Sequence, residues 1–327
     1  MARRLSVYRE SWPLKNPFAI SRGVKTEAEV VVVEIFDGLL RGRGECVPYH
    51  RYGETVNEVI KTIKNVSGDI EKERDRNFFL SKLRPGAARN AVDSALWDLD
   101  CKLLGCRAWE LAGLAEPLSV LTAETIGIDT IKNMGKEAGR LKKSTLIKVK
   151  LDNENVLARM SAIRDNAPLS RLIVDPNEGW TVEQLNEHAQ GLKSLGVEMI
   201  EQPLPVDKDE ALNDYNRALP ICADEACHSS SDLSRLLGKY QIVNIKLDKT
   251  GGLTEALRLD LESRAMGFKT MVGCMVGTSL AMAPALLLVS QASFVDLDGP
   301  LLLKHDREFG LRYDNGLMGP LDKRLWG

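Results

Sequence analysis

The chain has 327 residues, 44% of them apolar, enough to bury a sizeable core in one large or two ordinary domains. Its 44 Lys and Arg nearly balance 46 Asp and Glu, and a formal net charge of −2 leaves no basic footprint for nucleic acid and no cationic face for a membrane. Six cysteines, at 46, 101, 106, 222, 227 and 274, form no CxxC pair and no disulfide framework, as expected for reduced thiols in a cytoplasmic protein.

The opening MARRLSVYRESW carries arginines but lacks the apolar centre of a signal peptide. Residues 5–9 read as a strand, and VVVVEIFDG (30–38) with LLRGRGEC (39–46) as a hairpin around Asp37-Gly38. Helices follow near 54–66 and 88–104, the second with Val92, Leu96, Leu99 and Leu103 on one stripe. Strands followed by helices predict an α+β capping domain over 1–117, ending in the junction Gly113 to Pro117. Within it, 15–26 (KNPFAISRGVKT) and 47–54 (VPYHRYGE) combine Pro or Gly with Arg or Tyr and are expected to be lid loops over a binding site.

From 118 to 300 the pattern repeats. LTAETIGI (121–128), TLIKVK, RLIVD, VEMIE, PICAD, IVNIK, FKTMVGC (268–274) and SFVDLD are apolar runs, most of them ending in a charge. Lys150, Asp175, Glu201, Asp224 and Lys246 follow one another at intervals of 25, 26, 23 and 22 residues, and FKTMVGC fills the 50-residue gap to Asp296. Eight runs, each followed by a helix-length segment, predict an α/β fold with a parallel barrel whose chemistry lies at the C-terminal strand ends. Val156, Met160 and Ile163, then Leu185, Ala189 and Leu192, supply buried faces for helices at 154–166 and 182–195. SLAMAPALLLV is too short to span a bilayer, contains a proline, and reads as a barrel helix. Residues 301–327 form a tail expected to pack back on the cap.

The strand ends carry specific chemistry. In LIKVKLD, Lys148 and Lys150 share one side of the strand, which in a parallel barrel must look into the mouth. Asp175, Glu201 and Asp224 end strands three, four and five, where three converging anions call for a cation. An all-oxygen set suits Mg²⁺, with Mn²⁺ as substitute; none of the four histidines ends a strand, which disfavours zinc. Lys150 and Lys246, on strands two and six, should face each other across the mouth with ammonium pKa values depressed by the cation. That arrangement can remove a proton from one face of a carbon and return it to the other, the task of a two-base racemase or epimerase. Asp296 and Asp298 share a face of strand eight, opposite strand four, where they could hold a cationic group of the substrate, form a second metal site, or bond the backbone of the next turn.

KVK, VDPNEGW, EQPLP, ADE and NIKLDKTGG, in that order and spacing, resemble the muconate-lactonizing subgroup of the enolase superfamily, nearly over the whole chain. FVDLDGP, PLKNPFAISRG and PYHRYGE make it most similar to the L-Ala-D/L-Glu (dipeptide) epimerases within that subgroup. The resemblance implies a modified TIM barrel, (β/α)7β, under an α+β cap. It also implies Mg²⁺-dependent epimerisation of the C-terminal residue of dipeptides during murein peptide metabolism. By it, Asp175, Glu201 and Asp224 are the metal ligands, Lys150 and Lys246 the acid/base pair, and Lys148 assists the substrate carboxylate. Asp296 and Asp298 take the α-ammonium, and Arg22 meets the glutamyl carboxylate. Asn177 and Glu225 stand behind the ligands, with Pro176 a departure beside Asn177. The expected partner is a small dipeptide, with neither nucleic acid nor membrane, and self-association stays open. Competing activities with the same lysine–metal–lysine core are N-acylamino-acid racemase, o-succinylbenzoate synthase and muconate cycloisomerase, whose substrates lack a free ammonium. A Schiff-base aldolase would leave the three carboxylates without purpose, and a non-catalytic binding protein would not need both lysines.

Overall fold

Runs of valine and isoleucine organise the first part of the chain. The computed structural model describes residues 2–21 and 23–327. In it, Arg4–Ile20, Gly23–Asp37 and Leu40–Cys46 form an antiparallel sheet in sequence order. Val31, Val33 and Ile35 bury against the helices Val56–Lys64 and Ala87–Leu104. The longer helix lies directly on Gly42 and Gly44, where a Cβ would come within 2.2 Å of the carbonyl oxygens of Ala95 and Ala91.

The segment 15–26, expected as a loop, is instead the outer end of a hairpin. The first two strands stay paired through Phe18↔Lys25, Ala19↔Val24 and Ile20↔Gly23, with an irregularity between Pro13 and Phe18 that accommodates Pro17. Arg22 lies outside the described residues. The segment 47–54 is irregular, with one 3-10 turn at His50–Tyr52.

Eight parallel strands follow: Glu124–Ile126, Leu146–Lys150, Arg171–Asp175, Val197–Glu201, Ile221–Ala223, Ile242–Ile245, Lys269–Gly273 and Phe294–Asp296. They pair in sequential order, strands one to eight. The seam between first and last is joined where Ala123 N–H donates to the Val295 carbonyl at 2.7 Å and Leu297 N–H donates to Thr122 Oγ1 at 2.9 Å. Helices Ile131–Arg140, Val156–Asn166, Val182–Ser194 and Leu253–Ala265 cover strands one, two, three and six.

Three connections are not the full α-helices that the repeat predicts; the one between strands five and six is a 3-10 turn, Ser230–Asp232, followed by one α turn, Leu233–Leu236. Val206–Asp214 is a 3-10 helix, in a segment whose Asp and Asn side chains compete for backbone hydrogen bonds. SLAMAPALLLV is one α turn, Ser279–Met282, continued by 3-10 helix Ala283–Gln291, because Pro284 lacks the N–H that the α ladder needs. Among the described residues, no helix is long and apolar enough to cross a membrane.

The tail returns to the cap. Trp326 is buried, its Nε1 donating to the Ser94 carbonyl at 3.0 Å, and Gly327 N–H donates to Asp98 Oδ1 at 2.8 Å.

The barrel interior explains where the site must lie. One apolar residue per strand makes a closed floor: Ala123, Leu146, Ile173, Met199, Cys222, Ile242, Met271 and Phe294. Their sequence neighbours, among them Ile147, Leu172, Val174, Val243 and Val272, face outward into the helix layer. Side chains alternate along a strand, so residues two and four positions beyond the floor again point inward. Two positions on, seven of the eight strands carry a polar residue, and four positions on, strands two, three, six and eight do.

Candidate active site

The polar residues reached by counting in twos from the floor are Thr125, Lys148 and Lys150, Asp175 and Asn177, Glu201, Asp224, Asn244 and Lys246, and Asp296 and Asp298; strand seven offers Gly273. Asp175, Glu201 and Asp224 are almost wholly buried. One cavity at the C-terminal strand ends is bordered by Lys148, Lys150, Asp224, Lys246, Asp296 and Asp298. The predicted strand-end residues are thus brought together.

Their partners differ from expectation. Each carboxylate is met by lysine. Lys148 Nζ sits 2.6 Å from Glu201 Oε2, 2.8 Å from Asp296 Oδ2 and 3.1 Å from Asp175 Oδ2. Lys150 Nζ lies 2.5 Å from the same Asp175 oxygen. Lys246 Nζ lies 2.7 Å from Asp224 Oδ2 and 4.0 Å from Glu201 Oε1. With the oxygens turned onto ammonium groups, no three acidic, His or Cys side chains among the described residues are grouped as a ready-made metal cage. The donor set itself fits a hard divalent cation: three buried carboxylates on neighbouring strands, oxygen only.

The electrostatics follow from this pairing. Burial opposes charge on Lys148, but Asp296, Glu201 and Asp175 outweigh it and hold its ammonium well above the ordinary value. Lys246 is likewise raised, burial being overcome by Asp224 and Glu201, so the depressed value expected for it is not produced by the protein's own groups. Asp175 is lowered, its burial outweighed by Lys150 and Lys148. Burial raises Glu201, with Asp175 adding to it.

Asp296 and Asp298 are not remote from the carboxylate cluster, as opposite strands suggested. Lys148 links Asp296 to Glu201 and Asp175 directly. Asp298 Oδ2 accepts from Thr125 N–H at 2.8 Å across the seam, so it bonds backbone, though of strand one rather than of the next turn. Burial, then Asp296, pushes the Asp298 carboxyl up to about 7. An added cation beside this pair would restore its charge.

Asn177 donates its backbone N–H to Asp175 Oδ1 at 2.9 Å. Pro176 is compatible with that bond, since the donor is one residue further on. Both Asn177 and Glu225 border the cavity itself rather than standing only behind the ligand carboxylates.

Three supporting residues escaped the sequence reading. Lys249, fully buried, places Nζ 2.7 Å from Asp224 Oδ1 and donates to the Asn244 and Asp224 carbonyls at 2.8 and 2.5 Å. Asn244 Nδ2 donates to Glu201 Oε1 at 2.8 Å. Gln202 Oε1 accepts from the N–H groups of Asp224 and Ala226, both at 3.0 Å. Their signal was present in NIKLDKTGG and EQPLP: polar residues one, two or three positions from a strand-end charge, inside otherwise apolar segments. Asn244 is also why strand seven ends in glycine, for a Cβ on Gly273 would fall 2.5 Å from Asn244 Oδ1.

The cap closes the cavity with Phe18, Ile20, Lys25, Tyr49 and Tyr52. Segment 47–54 is pinned to the barrel by a two-pronged Arg51–Glu178 pair, 2.7 Å at each prong, and by Tyr52 edge-on to His228 at 4.4 Å. Of the expected thiols, Cys222 packs in the floor, whereas Cys274 borders the cavity just beyond strand seven.

Residues 2–113 match the mandelate racemase / muconate lactonizing enzyme N-terminal domain, and residues 129–316 match the enolase C-terminal domain-like family. The chain is 49% identical to the L-Ala-D/L-Glu epimerase of Escherichia coli strain K12 over 96% of its own length and 98% of that protein. It is 46% identical to an N-acetyl-D-glutamate racemase from a Pseudoalteromonas species, over 91% and 95% of the two chains. An enolase family member from Agrobacterium tumefaciens with homology to dipeptide epimerases, solved with sodium and L-Ala-L-Glu, shares the fold at a TM-score of 0.97. That structure is 43% identical and covers 99% of this chain and 100% of its own. The chain belongs to the mandelate racemase / muconate lactonizing enzyme family of the enolase superfamily.

Proposed function

We propose that this protein epimerises the C-terminal residue of dipeptides, interconverting L-Ala-L-Glu and L-Ala-D-Glu, in the cytoplasm and on peptides from murein turnover. The observation that carries this reading is a single cavity bordered by Lys150 and Lys246, from opposed strands two and six, and by the anionic pair Asp296 and Asp298. A dipeptide carboxylate at the strand ends puts its α-carbon between the two lysines. One lysine takes the proton from one face, and the ammonium of the other returns a proton to the opposite face. Lys148, held charged by three carboxylates, faces the substrate carboxylate as a fixed cation. The dipeptide's ammonium supplies the cation that Asp298 needs.

Asp175, Glu201 and Asp224 would hold Mg²⁺. Bound there, it would supply an electrophile for negative charge developing on the substrate carboxylate and would offset the charge of Asp224 and Glu201 that raises Lys246. Glu225 and Asn177 border the same cavity, and Arg22 is proposed to meet the glutamyl carboxylate.

N-acylamino-acid racemisation is the second reading, favoured by the 46% identical relative. Asp296 is already met by Lys148, but an N-acetylated substrate brings no cation to Asp298, which is why the dipeptide is preferred. The test is α-deuteration in D₂O with Mg²⁺. Lys150→Ala and Lys246→Ala should each stop net epimerisation while still exchanging the α-proton of one epimer. Near wild-type interconversion by either single variant would remove the two-base reading, and equal turnover of N-acetyl-glutamate and L-Ala-L-Glu would replace it with the acylamino-acid racemase.

A further inference from the structure

Asp298 caps the helical turn Gly299–Leu302, its carbonyl accepting from Leu301 N–H at 2.8 Å. Leu302 lies four residues on, and residues so spaced around a turn share a face. Both border the cavity. The turn cannot back away, since a Cβ on Gly299 would already lie 2.9 Å from the Met275 carbonyl. Leu302 is also held from behind, packing with Trp12, Phe18 and Val276 on a buried cluster of Leu14, Ala28 and Leu303. An apolar side chain of fixed position therefore stands beside the carboxylate that receives the ammonium.

In a dipeptide the ammonium and the first side chain are substituents of one carbon. Anchoring the ammonium at Asp298 brings that side chain to Leu302. We propose that Leu302 sets the size limit on the N-terminal residue, admitting the methyl of alanine and turning away branched or aromatic side chains. The inference rests on the dipeptide reading of the site.

The experiment compares kcat/KM for Gly-L-Glu, L-Ala-L-Glu and L-Leu-L-Glu, by α-deuteration with Mg²⁺, in the wild type, Leu302→Ala and Leu302→Phe. One methylene at an apolar pocket wall is worth about 10–200-fold in discrimination. Leu302→Ala should raise the L-Leu-L-Glu to L-Ala-L-Glu ratio by more than about fivefold. Leu302→Phe should raise the Gly-L-Glu to L-Ala-L-Glu ratio by a similar factor, and decides alone if the alanine variant does not fold. A smaller change, with dipeptides still turned over, overturns the proposal by itself. Wild-type turnover of N-acetyl-glutamate with no dipeptide turned over would overturn it together with the dipeptide reading.

Discussion

Replacing Gly273 with alanine tests how closely the site is supported from beneath. The new methyl would sit 2.5 Å from Asn244 Oδ1 and 2.8 Å from its Nδ2, where ordinary contact begins at 3.4 Å. The amide must therefore move by about 0.9 Å, in a side chain that is fully buried and whose backbone carbonyl is held by Lys249. The movement that relieves the clash breaks the Asn244–Glu201 bond at 2.8 Å. Overpacking costs about 1–3 kcal/mol and a lost hydrogen bond to a charged group about 1.5–3, giving roughly 2.5–6 kcal/mol. Thermal unfolding should fall by about 5–10 °C. A displacement of Glu201 approaching 1 Å should lower kcat/KM for L-Ala-L-Glu about 100-fold. The double variant Asn244→Ala/Gly273→Ala should be no worse than Asn244→Ala alone, because the clashing atoms are gone. A Gly273→Ala protein with wild-type Tm and kcat/KM within twofold, or strict additivity in the double variant, would refute this account.

Activity should vanish on exhaustive EDTA treatment and return with Mg²⁺, and Glu201→Gln should weaken Mg²⁺ binding by calorimetry; undiminished turnover in EDTA would end the metal-assisted reading. Asp298→Asn should cut kcat/KM for L-Ala-L-Glu by about 2–5 kcal/mol of transition-state binding while sparing N-acetyl-glutamate, and equal losses on both would show that the residue does not meet the ammonium. Asp93 is pushed up by burial to about 6, so the native state favours its protonated form. Its contribution to stability is then full below the unfolded value of 3.8 and is lost as pH rises through about 6, a change of about 3 kcal/mol. Denaturant unfolding of wild type and Asp93→Asn across that window should diverge accordingly, and parallel profiles would contradict the assignment.

The barrel was legible because its signals are local. Apolar runs at 22 to 26 residue intervals, with charges at their ends, locate strands and site together, and strand alternation says which lysines face inward. Partner choice was not legible, since it depends on side-chain reach between strands. Lys148 bridging Asp175, Glu201 and Asp296, and Asp298 accepting from Thr125 across the seam, join residues up to 173 positions apart. Lys249 was missed because attention to strand ends passes over the turn that follows one. The hairpin at 15–26 was mistaken for a loop because Pro17 and Gly23 punctuate it, yet pairing resumes on the far side of the proline.

The apolar floor has a consequence for how such a chain can vary. Chemistry begins two residues beyond the floor, about 6.6 Å along a parallel strand. A one-residue insertion or deletion between floor and tip would turn that strand's inward charges into the helix layer and bring a valine or isoleucine into the mouth. Length changes are therefore confined to segments beyond the tips, where a strand can acquire a new loop without losing its lysine or carboxylate. The floor works as a common datum from which eight tips are measured, so one tip can be exchanged for another side chain while seven keep their height. Substrate preference can then drift by single substitutions at the rim, while the spacing beneath it tolerates none.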